Sequence, residues 1–277
     1  MSSAYYKPDE ILDITIENGV KKTKYSSKTS AILGFQAGAF IALGYLLYIR
    51  ITAPLTGDIA GLGTFLGASV FPIGLILTLL AGGELLTGNM MAVPLAGFAK
   101  KIRIRSILQN WAIISFFNFI GAIFVAYMFG HLAGLTSEGV FLEKTVSIAE
   151  HKLEANFLEA FVSGIGCNWL VAAAVWLCYG AKDVIGKIAG IWFPTMTFVA
   201  IGFQHVVANM FVIPAAIFEG HFTWTQYITN FVPVFLGNAT GGVVFIGLAY
   251  WLAYKKQSTQ KIEKGKAALV MLKGSKG

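Results

Sequence analysis

The chain has 277 residues, 56% of them hydrophobic and only 13% charged, with a mean hydropathy of +0.68 and a net charge of +7. Soluble domains carry about 45–50% apolar and about 25% charged residues, so too little polar side chain is present to cover a water-soluble particle. Composition therefore argues for an integral membrane protein and against the soluble enzyme classes. The basic excess sits between long apolar runs rather than on one soluble face, which points to membrane topology and not to nucleic acid.

In chain order, residues 1–30 form a polar arm, acidic where a cleaved signal peptide would have its apolar core, so the arm is expected to be retained. Six apolar runs follow, at 31–49, 62–99, 107–129, 157–179, 188–218 and 227–254, within one pore domain spanning 31–254. Each is long enough for a spanning helix of about 20 residues. A basic tail covers 255–277. An even number of spans puts both termini on one side, and 18 of the 21 Lys and Arg residues fall on that side. Only Arg50, Lys144 and Lys152 lie opposite, which predicts a multi-pass cell-membrane protein with both termini cytoplasmic. Cys167 and Cys178 lie within one apolar run and read as small hydrophobes; no disulfide, metal site or cofactor is expected.

The second run has 38 residues and the fifth 31, too many for one crossing. Each holds a polar, glycine-bearing interruption: Gly82-Gly83-Glu84-Leu85-Leu86-Thr87-Gly88-Asn89, and Gly202-Phe203-Gln204-His205-Val206-Val207-Ala208-Asn209. Irregular backbone at membrane depth survives only where it is buried in protein or lines a cavity, so spans two and five are read as broken helices. The interruptions are copies. A shift of 120 carries Asn89, Met90 and Pro94 onto Asn209, Met210 and Pro214, Glu84 onto Gln204, Asn110 onto Asn230, Asn118 onto Asn238 and Gly121 onto Gly241. Three spans per copy force the second copy to insert upside down. The fold class expected is an all-α membrane bundle in an inverted three-plus-three repeat, with a transport site near the midplane.

His205 is the one histidine within an apolar run, and an ionisable group at that depth is a functional candidate. The alternative is a neutral ring bonded to loose backbone in the break. Thr87, whose hydroxyl both donates and accepts, stands in the other break as a pathway residue or as a cap. Asn89 and Asn209 are expected to be N-caps of the half-helices that follow. Asn118 and Asn238 are read as ties for the broken backbone, and Asn168 as a polar pathway residue. A shift of 130 pairs Gly34 with Gly164 and Lys22 with Lys152, so each copy carries a lysine at the mouth of its first span. Lys152 is either a snorkelling interfacial residue or an anion-attracting charge. By the same repeat Lys22 should face Glu84 and Lys152 should face Gln204. Phe71, Leu75, Leu85, Leu86 and Phe198 flank the breaks as candidate apolar constrictions. No phosphate loop, Cys-x-x-Cys pair or Ser/His/Asp arrangement is visible, so no enzyme activity is expected.

At both interruptions the sequence resembles the formate/nitrite transporter family, and the six spans and polar arm fit that resemblance over nearly the whole chain. The resemblance implies an aquaporin-like fold and a homopentamer with one pore per protomer in the lipid bilayer. The substrates implied are small monovalent anions with protons, formate first and nitrite second. It makes Thr87 and His205 the central polar pair, Lys152 the source of a positive field, and the five apolar residues the constrictions. Two departures stand out: Leu86 where formate channels often carry phenylalanine, and Gln204 where the family commonly has glutamate.

An anion crossing a dry apolar ring loses many kcal/mol of hydration, whereas the neutral acid loses far less. The favoured mechanism therefore has Lys152 drawing the anion in and His205 or water supplying a proton before the constriction. His205 is expected to gain charge only as the pathway acidifies. A dehydrated anion held by Thr87 and protonated His205 is the variant. Hydrosulfide or lactate transport, or a neutral-solute channel, are the alternatives. The last lacks the paired Asn-Pro-Ala of aquaporins, since the chain reads Asn89-Met90-Met91 and Asn209-Met210-Phe211.

Overall fold

The computed structural model describes residues 4–255, which are helical apart from loops and one isolated β-bridge between Tyr5 and Ala181. All of the tail expected at 255–277 except Lys255 lies outside the described residues. Helix α1 (Pro8–Lys22) has proline at its first position, Asp9 and Glu10 in its first turn and Lys21 and Lys22 in its last. That order matches the helix dipole. The Glu10 carboxylate accepts the Lys7 N–H at 2.9 Å. Ile11, Leu12 and Ile16 are buried in a cluster with Met91, Leu95, Val175 and Trp176, so the arm is packed against the body.

Six helical segments are long and apolar enough to cross a membrane: Ser27–Thr52, Gly57–Gly82, Ile104–Leu132, Phe157–Gly180, Val184–Ile201 and Trp224–Lys255. The first is helix α2 (Ser27–Thr52), whose 26 residues reach about 39 Å; the Ser26 hydroxyl caps it by accepting the Thr29 N–H at 3.1 Å. The second span runs through α3 (Ala60–Val70), α4 (Ile73–Ile76) and π-helical turns at Leu77–Gly82, then breaks. Helix α5 (Leu86–Phe98) follows the break. Helices α6 (Ile104–Val125), α7 (Gly139–Glu154) and α8 (Phe157–Gly180) come next. The fifth span is α9 (Val184–Ile201), a second break, and α10 (Val206–Phe218). The sixth begins with α11 (Trp224–Thr240).

Spans two and five are thus broken as the run lengths require, and the half-helices α5 and α10 have 13 residues each, about 20 Å, too short to cross alone. Glycine makes each break: Gly82 has φ +109° and Gly202 φ +88°, a region that L side chains avoid. Helix α2 packs on α6, and α8 on α11, at backbone-contact range. A Cβ on Gly38 would strike the Asn118 carbonyl, and one on Gly237 the Phe161 carbonyl.

The segment between spans three and four was legible only as a loop. It contains α7, a helix of 16 residues that buries Thr145, Ala149 and Lys152 while leaving much of its other side exposed. Lys152 is therefore not a snorkelling side chain at a rim. It is only 8% exposed.

Candidate functional site: a sealed polar pair beside a basic vestibule

The two breaks meet at Thr87 and His205, whose Oγ1 and Nε2 lie 3.0 Å apart with both residues buried. His205 is the residue just before α10, and its Nδ1 accepts the Ala208 N–H at 3.1 Å, so the imidazole itself is the N-cap. That bond fixes the tautomer. A nitrogen that accepts carries no proton, so the ring hydrogen sits on Nε2 and donates to the Thr87 hydroxyl. Thr87 then keeps its own hydroxyl hydrogen for another acceptor.

The N-cap role expected of Asn89 and Asn209 is overturned. Both lie inside the half-helices, where Leu85 and His205 are the cap positions. Their amides instead reach sideways: Asn89 Nδ2 donates to Glu84 Oε2 at 2.9 Å and to Asn110 Oδ1 at 3.0 Å. Asn209 Nδ2 donates to Gln204 Oε1 at 2.8 Å and to Asn230 Oδ1 at 2.9 Å. The half-helix amides go to Asn118 and Asn238. Asn118 Oδ1 accepts the Leu86 N–H at 2.9 Å while its Nδ2 donates to the Gly34 and Glu84 carbonyls. Asn238 repeats the arrangement on Val206, Gly164 and Gln204. Asn168 Nδ2 joins the two halves, donating to the carbonyls of Thr87 and Asn238 at 3.2 and 2.7 Å.

Phe71, Leu75, Leu85 and Phe198 close around His205, together with Ile41, Val171 and Thr195, and the space between them admits no water molecule. Phe71 and Phe198 meet edge to face at 5.8 Å, and Phe198 stacks on the His205 ring at 5.7 Å. Leu86 is buried at the first position of α5 and does not line this space. Beyond Phe71 and Phe198 lies a vestibule of about 240 Å³ bounded by Tyr45, Tyr48, His151 and Lys152. Burial pushes the Lys152 ammonium down to about 8. A second cavity of about 370 Å³ adjoins the same lysine and includes Ser163 and Gln204.

Lys22, at the end of α1, donates to Glu84 Oε1 at 2.7 Å. Lys152 meets Gln204 differently: Gln204 Nε2 donates to the Lys152 backbone carbonyl at 3.2 Å.

A model of the formate/nitrite transporter family matches residues 9–252. The chain belongs to that family. The formate channel BtFdhC of Bacillus thuringiensis is 56% identical over 254 residues, covering 92% of this chain and 98% of that protein. Among solved structures, an FNT family ion channel aligns with TM-score 0.82 at 29% identity, covering 88% of this chain and 98% of its own. A pentameric formate channel with formate bound aligns with TM-score 0.73 at 30% identity, covering 82% and 97%.

Within this formate/nitrite transporter, sequence reasoning missed Ile41, Val171 and Thr195 around His205, and His151 at the vestibule. The three apolar-face residues carry no signal that separates them from lipid-facing neighbours. Asn110 and Asn230 did carry one, since the shift of 120 pairs them, but their role as brackets of the break emerges only from the contacts to Asn89, Asn209 and the Lys22 and Lys152 carbonyls.

Proposed function

We propose that this chain is a pore for small monovalent weak-acid anions, formate first and nitrite next, working as a homopentamer with one pore per protomer. The observation that carries this reading is the Thr87–His205 pair, sealed behind a ring that admits no water and flanked by a basic vestibule. The names of the relatives, a formate channel and a pentameric channel holding formate, support the same substrate and assembly. We read both termini as cytoplasmic from the positive-charge count, which makes the Lys152 vestibule the outer mouth. The repeated hydrogen bonds at Asn118 and Asn238 support two halves inserted in opposite senses.

In this reading the anion is drawn toward Lys152 and loses water at Phe71 and Phe198. The cap on Nδ1 leaves His205 with no free lone pair, so the proton comes from vestibule water rather than from the ring. The Thr87 hydroxyl hydrogen is the donor to a substrate oxygen at the centre, held in place by His205 Nε2–H. Leu75 and Leu85 complete the dry ring.

Proteoliposomes containing the pentamer and challenged with formate, nitrite, lactate and hydrosulfide across a pH gradient test the reading. Formate and nitrite should accumulate on the alkaline side. Permeation by glycerol and water alone would replace this reading with a neutral-solute channel.

A further inference from the structure

Gln204 and Glu84 occupy matched positions in the two breaks but touch their lysines with opposite polarity. Glu84 accepts from the Lys22 ammonium. Gln204 presents Nε2 to the Lys152 carbonyl and gathers Asn209 and Asn230 Nδ2 on Oε1, at 2.8 and 3.0 Å. A backbone carbonyl only accepts, so the two amides that touch it, Gln204 and Asn230, must both present nitrogen there. This anchor fixes the amide: its only acceptor oxygen is already taken by two asparagines, and nothing on Gln204 is left to receive the ammonium.

We propose that Gln204 is a positioning residue that keeps Lys152 out of an ion pair, so that one mouth of the pore holds an unpaired cation and the other a neutralised one. The inference rests on the anion-pore reading above and adds to it an inequality between the mouths. The charged and titratable groups around Lys152 leave it unpaired. On its own helix stand His151 and Glu154; α8 supplies Glu159 and Cys167, and the break His205. From the packed helices, Tyr45 and Tyr48 come from α2 and Tyr227 from α11. Arg50 of α2 is held over the Phe141 ring at 3.4 Å, and Glu219 after α10 bonds His131. Among the described residues no carboxylate lies within ion-pair distance of Lys152.

With the same pH on both sides, a passive pore must give equal ratios of Vmax to KM in its two directions. The mouth that captures the anion more tightly therefore has both the lower KM and the proportionally lower Vmax. Two unit charges in contact in water attract enough to change capture about fivefold. Because the Lys152 ammonium loses its proton near pH 8, the advantage should fade as the pH on both sides is raised together from 7 to 9.

The test is formate transport measured from each side, in right-side-out and inverted vesicles, for the full chain and Gln204→Glu, with pentamer recovery followed by size exclusion. In the wild type the KM on the Lys152 side should be about fivefold below that on the Lys22 side at pH 7. In Gln204→Glu the new carboxylate should take the ammonium as Glu84 takes Lys22. The two KM values should converge and the pH 7–9 dependence of their ratio should vanish, with Vmax/KM balanced at each symmetric pH. Equal KM values in the wild type, or a Gln204→Glu pore that keeps its inequality, overturn the inference while leaving formate transport intact. Absence of formate transport in the wild type overturns the pore reading instead. If Gln204→Glu does not assemble, Lys152→Met in the wild-type background should produce the same convergence, and an unchanged KM there is equally decisive against it.

Discussion

The Lys22 ammonium sits 2.7 Å from Glu84 Oε1, and this contact pins the end of the N-terminal helix to the first break. Glu84 is buried, and its second oxygen is held by Asn89. Burial alone would lower the lysine, but the carboxylate more than offsets it and leaves Lys22 raised above its ordinary value. Removing one partner of a buried pair costs about 3–5 kcal/mol, mostly by stranding the other charge. Lys22→Ala should therefore lower the midpoint of thermal unfolding of the protein in detergent, and adding Glu84→Gln should recover part of the loss. A double variant no better than the single one would mean that the contact contributes nothing. A raised lysine contributes stability that is complete below its unfolded value near 10.5 and is lost as pH climbs through the folded value. The difference between wild type and the double variant should then hold at neutral pH and shrink only at strongly alkaline pH.

Asn118 and Asn238 each make three buried hydrogen bonds, two to the broken backbone and one to a carbonyl of the neighbouring intact helix, Gly34 or Gly164. Leaving a buried group unsatisfied costs about 1–3 kcal/mol, and each substitution strands two, the half-helix N–H and the break carbonyl. Asn118→Leu and Asn238→Leu should therefore both abolish stably folded protein, read as loss of the monodisperse peak in fluorescence-detected size exclusion. Aspartate at either site should fail as well, because it accepts from the half-helix amide but cannot donate to the two carbonyls. Recovery of the wild-type elution peak from either aspartate variant would contradict this role.

The sequence laid open the parts of the fold that repeat. Run length revealed the two breaks, and the shift of 120 found Asn118 and Asn238 because both halves solve the same backbone problem with the same residue. The chemistry lies where the copies diverge: Leu85 against His205, Thr87 against Val207, Glu84 against Gln204. Such divergence flags a residue without showing what it touches. The N-cap error at Asn89 and Asn209 has that origin. Asparagine before a helical run is a sound cap signal, but the runs begin three residues earlier, where the Asn118 side chain stands in for a cap at Leu85 and the His205 imidazole, with Asn238 beside it, caps α10. Helix α7 was hidden because its low apolar content resembles a loop, although one of its faces closes the vestibule.

Phe198 holds the ring shut by packing on both Phe71 and His205. Replacing it with alanine removes the aromatic wall between the vestibule and the central pair. The space this wall bounds beside His205 admits no water, so removing the ring opens a path that is closed in the wild type. Phe198→Ala should admit water and glycerol, read as osmotic swelling of proteoliposomes, and should weaken discrimination between formate and lactate. Swelling rates equal to those of empty liposomes would place the seal elsewhere, with Leu75 and Leu85 the next positions to open.

His205 accepts the Ala208 N–H on Nδ1, and that bond sets what a substitution does. Protonating the ring would turn Nδ1 into a donor facing another donor, so charging His205 first requires giving up the cap, worth about 1 kcal/mol. Asparagine is a preferred N-cap and its Oδ1 takes the same N–H, whereas leucine offers no acceptor. His205→Asn should thus assemble with near-wild-type stability, and His205→Leu should lose about 0.5–2 kcal/mol. Asparagine is too short to keep the contact to Thr87 Oγ1, so the hydroxyl loses its partner and formate flux should fall, by up to about tenfold for a hydrogen bond of ordinary strength. On the proposed route, in which the proton reaches the substrate from vestibule water, the shape of the pH profile should survive. Flux of formate and nitrite into proteoliposomes from pH 5 to 8, wild type against His205→Asn, separates these effects. A profile flattened by asparagine at unchanged pentamer stability would show that the cap opens during transport and that the ring proton is the one delivered.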